Sequence, residues 1–395
     1  MKKIFLLFLP IMIICSCKKA QIVETRITGT PIPWQDSSGK HPKNSALTAL
    51  IQKYNKKGLP GISLLLDDNN GTWIGSIGKA DLANNMDFSP GQISKAASIT
   101  KLLVGSLVFK LMEDSIHTKL GYNSLHLPIN TWIPRRITDK LPNGNIVTLG
   151  QLMKHETGIP DLNENDNFYL DVLNNPNRKW QQEELLSFFY RAKPLFKPGD
   201  TAIYSNTNTV LVSMVIEYAT GRKHAELLKE KIIKPLGMKD TYYQPHDELP
   251  ASIAQGYYDL YNNNTLINVS NLITGSGNGY GGIYSNIFDL QKFINALLLQ
   301  QTLLSAKSLS IMQTYGKTDD SNRYGYGIMK KFIERGDNAG IGHPGRDLGY
   351  TANLFYFPNK NVTHIFFINY GTDGNSTLKQ AFLDFQNELM DLTLN

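Results

Sequence analysis

Hydrophobic and polar positions alternate with different periods along the chain. Leu47, Leu50, Ile51 and Tyr54 share one helical face, and Gly58 and Pro60 stop that helix. Ile62 to Leu66 and Trp73 to Ile77 are short apolar runs around Asp68-Asn69-Asn70-Gly71, which predicts a hairpin. Leu102 to Met112 is almost wholly apolar, so the helix it predicts is buried on every side. From residue 115 to 270 the pattern predicts short helices and many loops. The clearest helix there runs from Thr207 to Tyr218 and ends at Gly221. Strand-like runs return at Thr351 to Phe357 and Val362 to Tyr370, joined by Pro358-Asn359-Lys360-Asn361. Leu378, Phe382, Phe385, Leu389 and Leu392 then alternate four and three apart, predicting a terminal amphipathic helix capped near Ser376.

Helix and hairpin come first, helices fill the middle, and hairpin and helix come last. This order predicts one sheet assembled from both chain ends, not alternating βαβ units. The expected fold is α+β: an antiparallel β-sheet flanked by helices, plus an α-rich lobe. The sheet lobe would comprise residues 46–95 and 275–393, and the α-rich lobe residues 98–270.

The leader adds a destination. Lys2 and Lys3 precede the apolar run Ile4 to Ile14, followed by Cys15, Ser16 and Cys17. A basic start and a short apolar run read as a secretory signal peptide over residues 1–16, too short to span a bilayer. Ile14-Cys15-Ser16-Cys17 resembles a bacterial lipobox, which implies lipidation of Cys17 and a membrane anchor. Residues 17–45, polar and carrying Pro31 and Pro33, would tether that anchor to the domain. The expected location is the cell envelope, at the periplasmic or outer-membrane face. Both cysteines of the 395-residue chain lie in the leader, so the mature protein has no disulfide or cysteine nucleophile. The formal charge of +6 is spread along the chain and predicts no nucleic-acid groove.

Candidate chemistry begins at Ser98-Ile99-Thr100-Lys101, where a hydroxyl and an amine stand one helical turn apart. Serine needs a nearby base, and a buried lysine of depressed pKa can serve. Ser-x-x-Lys also occurs at Ser16, Ser37, Ser76 and Ser376, but only Lys101 opens the most apolar helix of the chain. Tyr204-Ser205-Asn206 follows the turn Phe196-Lys197-Pro198-Gly199 and recurs as Tyr284-Ser285-Asn286, where Asn286 reads as a helix cap. His343-Pro344-Gly345 precedes the first C-terminal strand, with Gly345 allowing a ligand close to the backbone. Gly277, Gly279 and Gly282 satisfy Gly-x-Gly-x-x-Gly, but no strand–helix nucleotide unit surrounds them. The histidines show no close metal-ligand spacing, and no Gly-x-Ser-x-Gly elbow appears. No metal or organic cofactor is expected.

The order and separation of these three motifs resemble the serine β-lactamase and penicillin-binding-protein superfamily, notably its class C-like and DD-peptidase-like branch. Leu152 to Gly158, Pro235-Leu236-Gly237-Met238, Gly281 to Ser285 and Tyr324-Gly325-Tyr326-Gly327 look like the same family. The resemblance covers residues 46 to 393. It implies that Ser98 is acylated, that Lys101 and Tyr204 share general-base and general-acid work, and that Asn206 orients Lys101. It further implies that His343 moves protons and that the backbone N–H groups of Ser98 and Arg346 form the oxyanion hole. Gly345 and Arg346 would contact substrate. His155 matches a family histidine and reads as a loop brace, with Glu156 where threonine is usual.

Two departures bear on substrate. His343 stands where most β-lactamases have lysine, and Pro344 where the family usually has threonine. Both weaken recognition of a substrate carboxylate, unless Arg346 compensates. Hydrolysis of a small ester or peptide-like acyl substrate is therefore expected ahead of D-alanyl-D-alanine carboxypeptidase or β-lactamase activity. A non-catalytic envelope binding or sensing module is the rival from another class, opposed by the intact set Ser98, Lys101, Tyr204 and Asn206.

Overall fold

A computed structural model describes residues 38–316, 318–319 and 322–395. The signal peptide, Cys17 and the first part of the tether lie outside these residues. The described elements begin with α1 (Asn44–Lys56), which buries Leu47, Leu50, Ile51 and Tyr54, the face read from their spacing. Next, β1 (Gly61–Asp68) and β2 (Gly71–Asp81) form the expected hairpin, with Asp68 opposite Gly71 across a two-residue turn. After β3 (Met86–Asp87), β4 (Ser94–Ala97) feeds α2 (Ile99–Glu113). The helical lobe contains α3 (Asp166–Asn174) and α4 (Asn206–Thr220), followed by β5 (Tyr242–Tyr243), β6 (Ile283–Ser285) and α5 (Ile287–Ile294). The chain then returns through β7 (Thr318–Asp319), β8 (Asn322–Tyr324), β9 (Met329–Lys331), β10 (Gly340–Asp347), β11 (Tyr350–Phe357), β12 (Val362–Ile368) and α6 (Lys379–Leu394).

Among the described residues, nine strands make one antiparallel sheet in the order β3-β2-β1-β12-β11-β10-β9-β8-β7. The first and last described strands meet at its centre, where Ile62 lies opposite Ile368. Side chains alternate between two cores. On one face Leu64, Phe355 and Phe366 pack with Tyr54 of α1 and Phe385 of α6. On the other, Leu65, Leu354 and Phe367 join α2, α4 and α5 in the larger core. Full burial of one such aromatic side chain is worth about 1.5–3 kcal/mol. From Ile99 to Met112 every residue but Lys110 is buried, so α2 is the axle between sheet and helical lobe. A small second sheet, β4-β6-β5, lies at the head of that axle.

Three expectations need correction. Residues 38–43 are part of the fold, not tether: the Ser38 hydroxyl accepts the Ile74 N–H at 2.8 Å, and His41 pairs with Asp68 at 3.1 Å. Short polar contacts of this kind leave no hydrophobic period to read. The terminal helix starts at Lys379, because Ser376 donates its hydroxyl to the Gly371 carbonyl at 2.9 Å and closes a turn instead of capping. His343-Pro344-Gly345 lies inside β10 and not ahead of the first C-terminal strand. Among the described residues, no helix is long and apolar enough to cross a membrane.

Candidate active site

β4 ends at Ala97, whose φ of 49° is the left-handed conformation that side chains normally avoid. That corner turns the chain from strand to helix and sets Ser98 at the N-cap of α2. It is held from two sides: the Thr100 hydroxyl donates to the Ala97 carbonyl at 2.7 Å and accepts the Ile283 N–H at 3.2 Å.

One turn on, Lys101 points into the core and is only 2% exposed. Its Nζ lies 2.9 Å from Ser98 Oγ, 2.7 Å from Asn206 Oδ1 and 2.8 Å from the Tyr280 carbonyl oxygen. The Tyr204 and Tyr280 rings stand 5.0 and 5.5 Å away. Burial pushes the amine down to about 7, against the upward pull of the Asp161 and Asp347 carboxylates. Asn206 Oδ1 and the Tyr280 carbonyl can only accept hydrogen bonds. In its neutral form Lys101 therefore spends both N–H groups on them, and its lone pair faces the Ser98 hydroxyl. This is the geometry of a base ready to take the serine proton.

Tyr204 hydrogen-bonds Ser98, and burial pushes its phenol well above the usual tyrosine range, so it stays protonated. The His155 ring packs against it with centroids 4.6 Å apart. His155 Nδ1 accepts the Ser205 N–H at 3.2 Å, which fixes the loop that carries Tyr204. Burial holds His155 down to about 3, so it is a neutral brace. Asn286 accepts the Asp289 N–H at 2.9 Å and is the helix cap read from the sequence.

The sheet supplies the other wall. His343 is buried, and burial together with the nearby Lys101 amine holds it well below the usual histidine range. Its Nδ1 lies 2.6 Å from the Pro344 carbonyl, which assigns the proton to Nδ1 and leaves Nε2 as an acceptor. A Cβ on Gly345 would meet the Ala96 carbonyl oxygen at 2.1 Å. The open side of Gly345 is thus taken by β4 and not by a ligand. Arg346 borders the cleft, but its Nη1 donates to the Gly345 and Ala352 carbonyls at 2.7 and 2.8 Å, and its guanidinium covers the Phe382 ring at 4.5 Å. Burial lowers it to about 10. It does not replace the missing lysine beside Ser98. β9 pairs with β10 only from Gly340 to Gly342, so the rest of that edge is open along the cleft.

The cleft measures about 700 Å³ and is bordered by Ser98, Tyr204, His343, Arg346, Tyr169 and Asp373. Ser98, Lys101, Tyr204, Asn206 and His343 are thus brought together from β4–α2, the α4 loop and β10. Three partners escaped the sequence reading. Asp161 holds Asn206, Tyr280 offers a carbonyl to Lys101, and Lys95 forms a buried 2.7 Å ion pair with Asp347. Tyr280 belongs to the Gly277–Gly282 loop, whose Gly-x-Gly-x-x-Gly pattern serves the lysine and not a nucleotide. Asp161 follows His155-Glu156-Thr157-Gly158-Ile159-Pro160, so its proximity to a recognised segment was the available signal. Among the described residues, no group of three or more His, Cys, Asp or Glu is placed to hold a metal ion.

A serine hydroxyl beside a buried lysine one turn away, between a helical lobe and an antiparallel sheet, is the arrangement of an acyl-enzyme type of serine hydrolase. The chain belongs to the Beta-lactamase family, whose model matches residues 47–386. It is 27% identical over 258 residues to the D-alanyl-D-alanine-carboxypeptidase/endopeptidase AmpH of Escherichia coli (strain K12), covering 65% of this chain and 62% of that protein. The match therefore spans less than two thirds of that relative. Penicillin-binding protein 4* of Bacillus subtilis (strain 168) is 25% identical over 327 residues, covering 78% of this chain and 67% of that protein. Among solved structures, a D-stereospecific amidohydrolase from Streptomyces sp. superposes with a TM-score of 0.75 at 25% identity, covering 87% of this chain and 98% of that one. D-amino acid amidase from Ochrobactrum anthropi SV3 shares the fold, with a TM-score of 0.73 at 23% identity over 88% of this chain and 98% of that one.

Proposed function

We propose that this protein is a serine hydrolase that forms an acyl-enzyme at Ser98 and acts on an ester or peptide-like acyl substrate. The observation that carries the reading is the lysine amine with two acceptor-only partners and its third contact on Ser98 Oγ. As Oγ bonds to the substrate carbonyl carbon, its proton passes to the Lys101 lone pair. The leaving group departs with a proton from the Tyr204 hydroxyl, which Lys101 replenishes. Water then attacks the acyl ester by the same path in reverse and frees Ser98.

The oxyanion would lie between the N–H groups of Ser98 and Arg346. A proline inside a strand is tolerated where its nitrogen faces no partner strand. For Pro344 that is the open edge along the cleft, and the period of two returns the Arg346 N–H to the same edge. With His343 neutral and the Arg346 guanidinium turned onto its own sheet, a substrate lacking a terminal carboxylate fits this wall better than one that carries it.

The test is hydrolysis of p-nitrophenyl butyrate, a D-amino acid amide and a peptide ending in D-Ala-D-Ala by wild type and Ser98→Ala. Turnover of the ester or amide, lost in the variant with the fold intact, is expected. Equal activity in Ser98→Ala would end the proposal, and exclusive cleavage of the D-Ala-D-Ala peptide would move it to carboxypeptidase. The leader supports an exported protein anchored through Cys17 in the cell envelope. Metabolic labelling with an alkyne fatty acid, lost in Cys17→Ala, is the expected result there, and labelling that persists would refute the anchor.

A further inference from the structure

We propose that Asp161 is a positioning residue of the acyl-transfer site, its carboxylate deciding which end of the Asn206 amide faces Lys101. The inference rests on the serine-hydrolase reading above and extends it to a residue outside the three motifs.

An asparagine amide has two ends of opposite hydrogen-bonding sense. Lys101 needs the oxygen end, because a neutral amine that also faces Ser98 can only donate to Asn206. Asp161 fixes that choice. Its Oδ1 accepts the Asn206 backbone N–H at 2.8 Å, and Asn206 Nδ2 lies 3.0 and 3.1 Å from the two carboxylate oxygens. The Asn163 N–H adds a fourth contact at 3.3 Å. Burial pushes the Asp161 carboxyl up, and these contacts oppose it: every partner donates, which is the pattern that favours an ionised carboxylate. With Nδ2 held by Asp161, Oδ1 is left at 2.7 Å from Lys101 Nζ. Asn206 is also the first residue of α4, so the carboxylate sits where a helix N-terminus favours negative charge.

A bland reading makes Asp161 only a cap for α4. Two facts go beyond it. The carboxylate bonds the side chain of Asn206 as well as its backbone, and its charge bears directly on Lys101. The charged and titratable groups facing that amine are Asp161 from the loop after His155, Asp347 from the end of β10, the neutral His155 and His343, and the phenols of Tyr204 and Tyr280. Asp347 is already paired with Lys95 at 2.7 Å. Asp161 has no such cation within ion-pair distance among the described residues, and its field is spent on Lys101.

Asp161→Asn keeps the volume and one acceptor oxygen but removes the charge and one side of the lock. For p-nitrophenyl butyrate, kcat is expected to fall about 10- to 100-fold with KM changed less than about threefold. The acidic limb of kcat/KM is expected to move to lower pH by about 1–3 units, because a nearby opposite charge holds a lysine protonated. A helix cap alone would not move that limb. Asp161→Glu retains the charge but displaces it, so kcat should fall while the limb stays in place. It serves alone if Asp161→Asn does not fold. A wild-type profile in Asp161→Asn, or wild-type kcat in Asp161→Glu, overturns the inference. Wild-type protein that neither turns over esters nor takes up a fluorophosphonate at Ser98 overturns the hydrolase reading itself, and this inference with it.

Discussion

Gly345 is the place where the two halves of the site touch. A Cβ there would sit 2.1 Å from the Ala96 carbonyl oxygen, and ordinary contact begins near 3.4 Å. The obstacle is backbone on both sides, so no side chain can swing away. Gly345→Ala must part β10 from β4 by about 1.3 Å, the difference between those two distances. The strands so separated carry Arg346 on one side and the Ala97–Ser98 corner on the other. A 1 Å misplacement can cost about 100-fold in rate, and loss of one oxyanion donor about 2.7–4 kcal/mol. We therefore expect kcat for an activated ester to drop about 100- to 1000-fold. The overpacking itself costs about 1–3 kcal/mol. Unfolding a unit of about 350 residues carries an entropy of about 0.7 kcal/mol/K, so Tm should fall by only about 1–4 °C. Steady-state hydrolysis and a thermal melt on the same sample read both numbers. Gly39→Ala, with nothing within 4 Å of its Cβ, is the matched control. Folded Gly345→Ala with kcat within threefold of wild type would refute the close-contact argument.

Other outcomes follow from the same geometry. Lys101 must be neutral to act as base, so with its amine held at about 7, kcat/KM should fall tenfold per unit as pH drops below that value. A limb that persists in Lys101→Met would assign it elsewhere. Tyr204→Phe removes the protonated hydroxyl at Ser98 and should lower kcat about 100- to 10,000-fold with little change in Tm. Retention of a tenth of wild-type kcat would make Tyr204 dispensable. Lys95 is 2% exposed, and its Asp347 partner also accepts the Thr274 hydroxyl at 3.0 Å. Lys95→Met strands that carboxylate, at a cost of about 3–5 kcal/mol, and a melt unchanged within 1 °C would contradict it.

The sequence made legible those parts of the fold whose side chains repeat with one period. The β1–β2 hairpin and the β11–β12 pair bury Ile, Leu, Val and Phe on alternating faces, α2 is apolar all round, and the structure has them where the sequence predicts. β10 was hidden because Gly340-Ile341-Gly342-His343-Pro344-Gly345-Arg346-Asp347 has neither alternation nor β-branched bulk beyond Ile341. It is a strand because β11 pairs with it from Ile341 to Asp347, which is tertiary information. The motif residues could be named because their spacing is local. Asp161 could not, since its role depends on α4 folding back across more than forty positions to present Asn206. The direction of Arg346 was equally unreadable: a basic residue beside a glycine motif suggests a substrate contact, yet its partners are two carbonyls of its own sheet.

The pairing of Ile62 with Ile368 also sets an order of events during synthesis. The β1–β2 hairpin emerges early, but one edge of β1 has no neighbour until almost the whole chain has been made. Long-range pairing of this kind folds slowly and exposes strand edges meanwhile. Ser98 and Lys101 leave the ribosome together, followed by Asn206, then Tyr280, and last His343. Ser98 and Lys101 therefore wait for their partners Asn206, Tyr280 and His343 through a long stretch of synthesis. The cleft walls can come together only after β12 has been made and has closed the sheet.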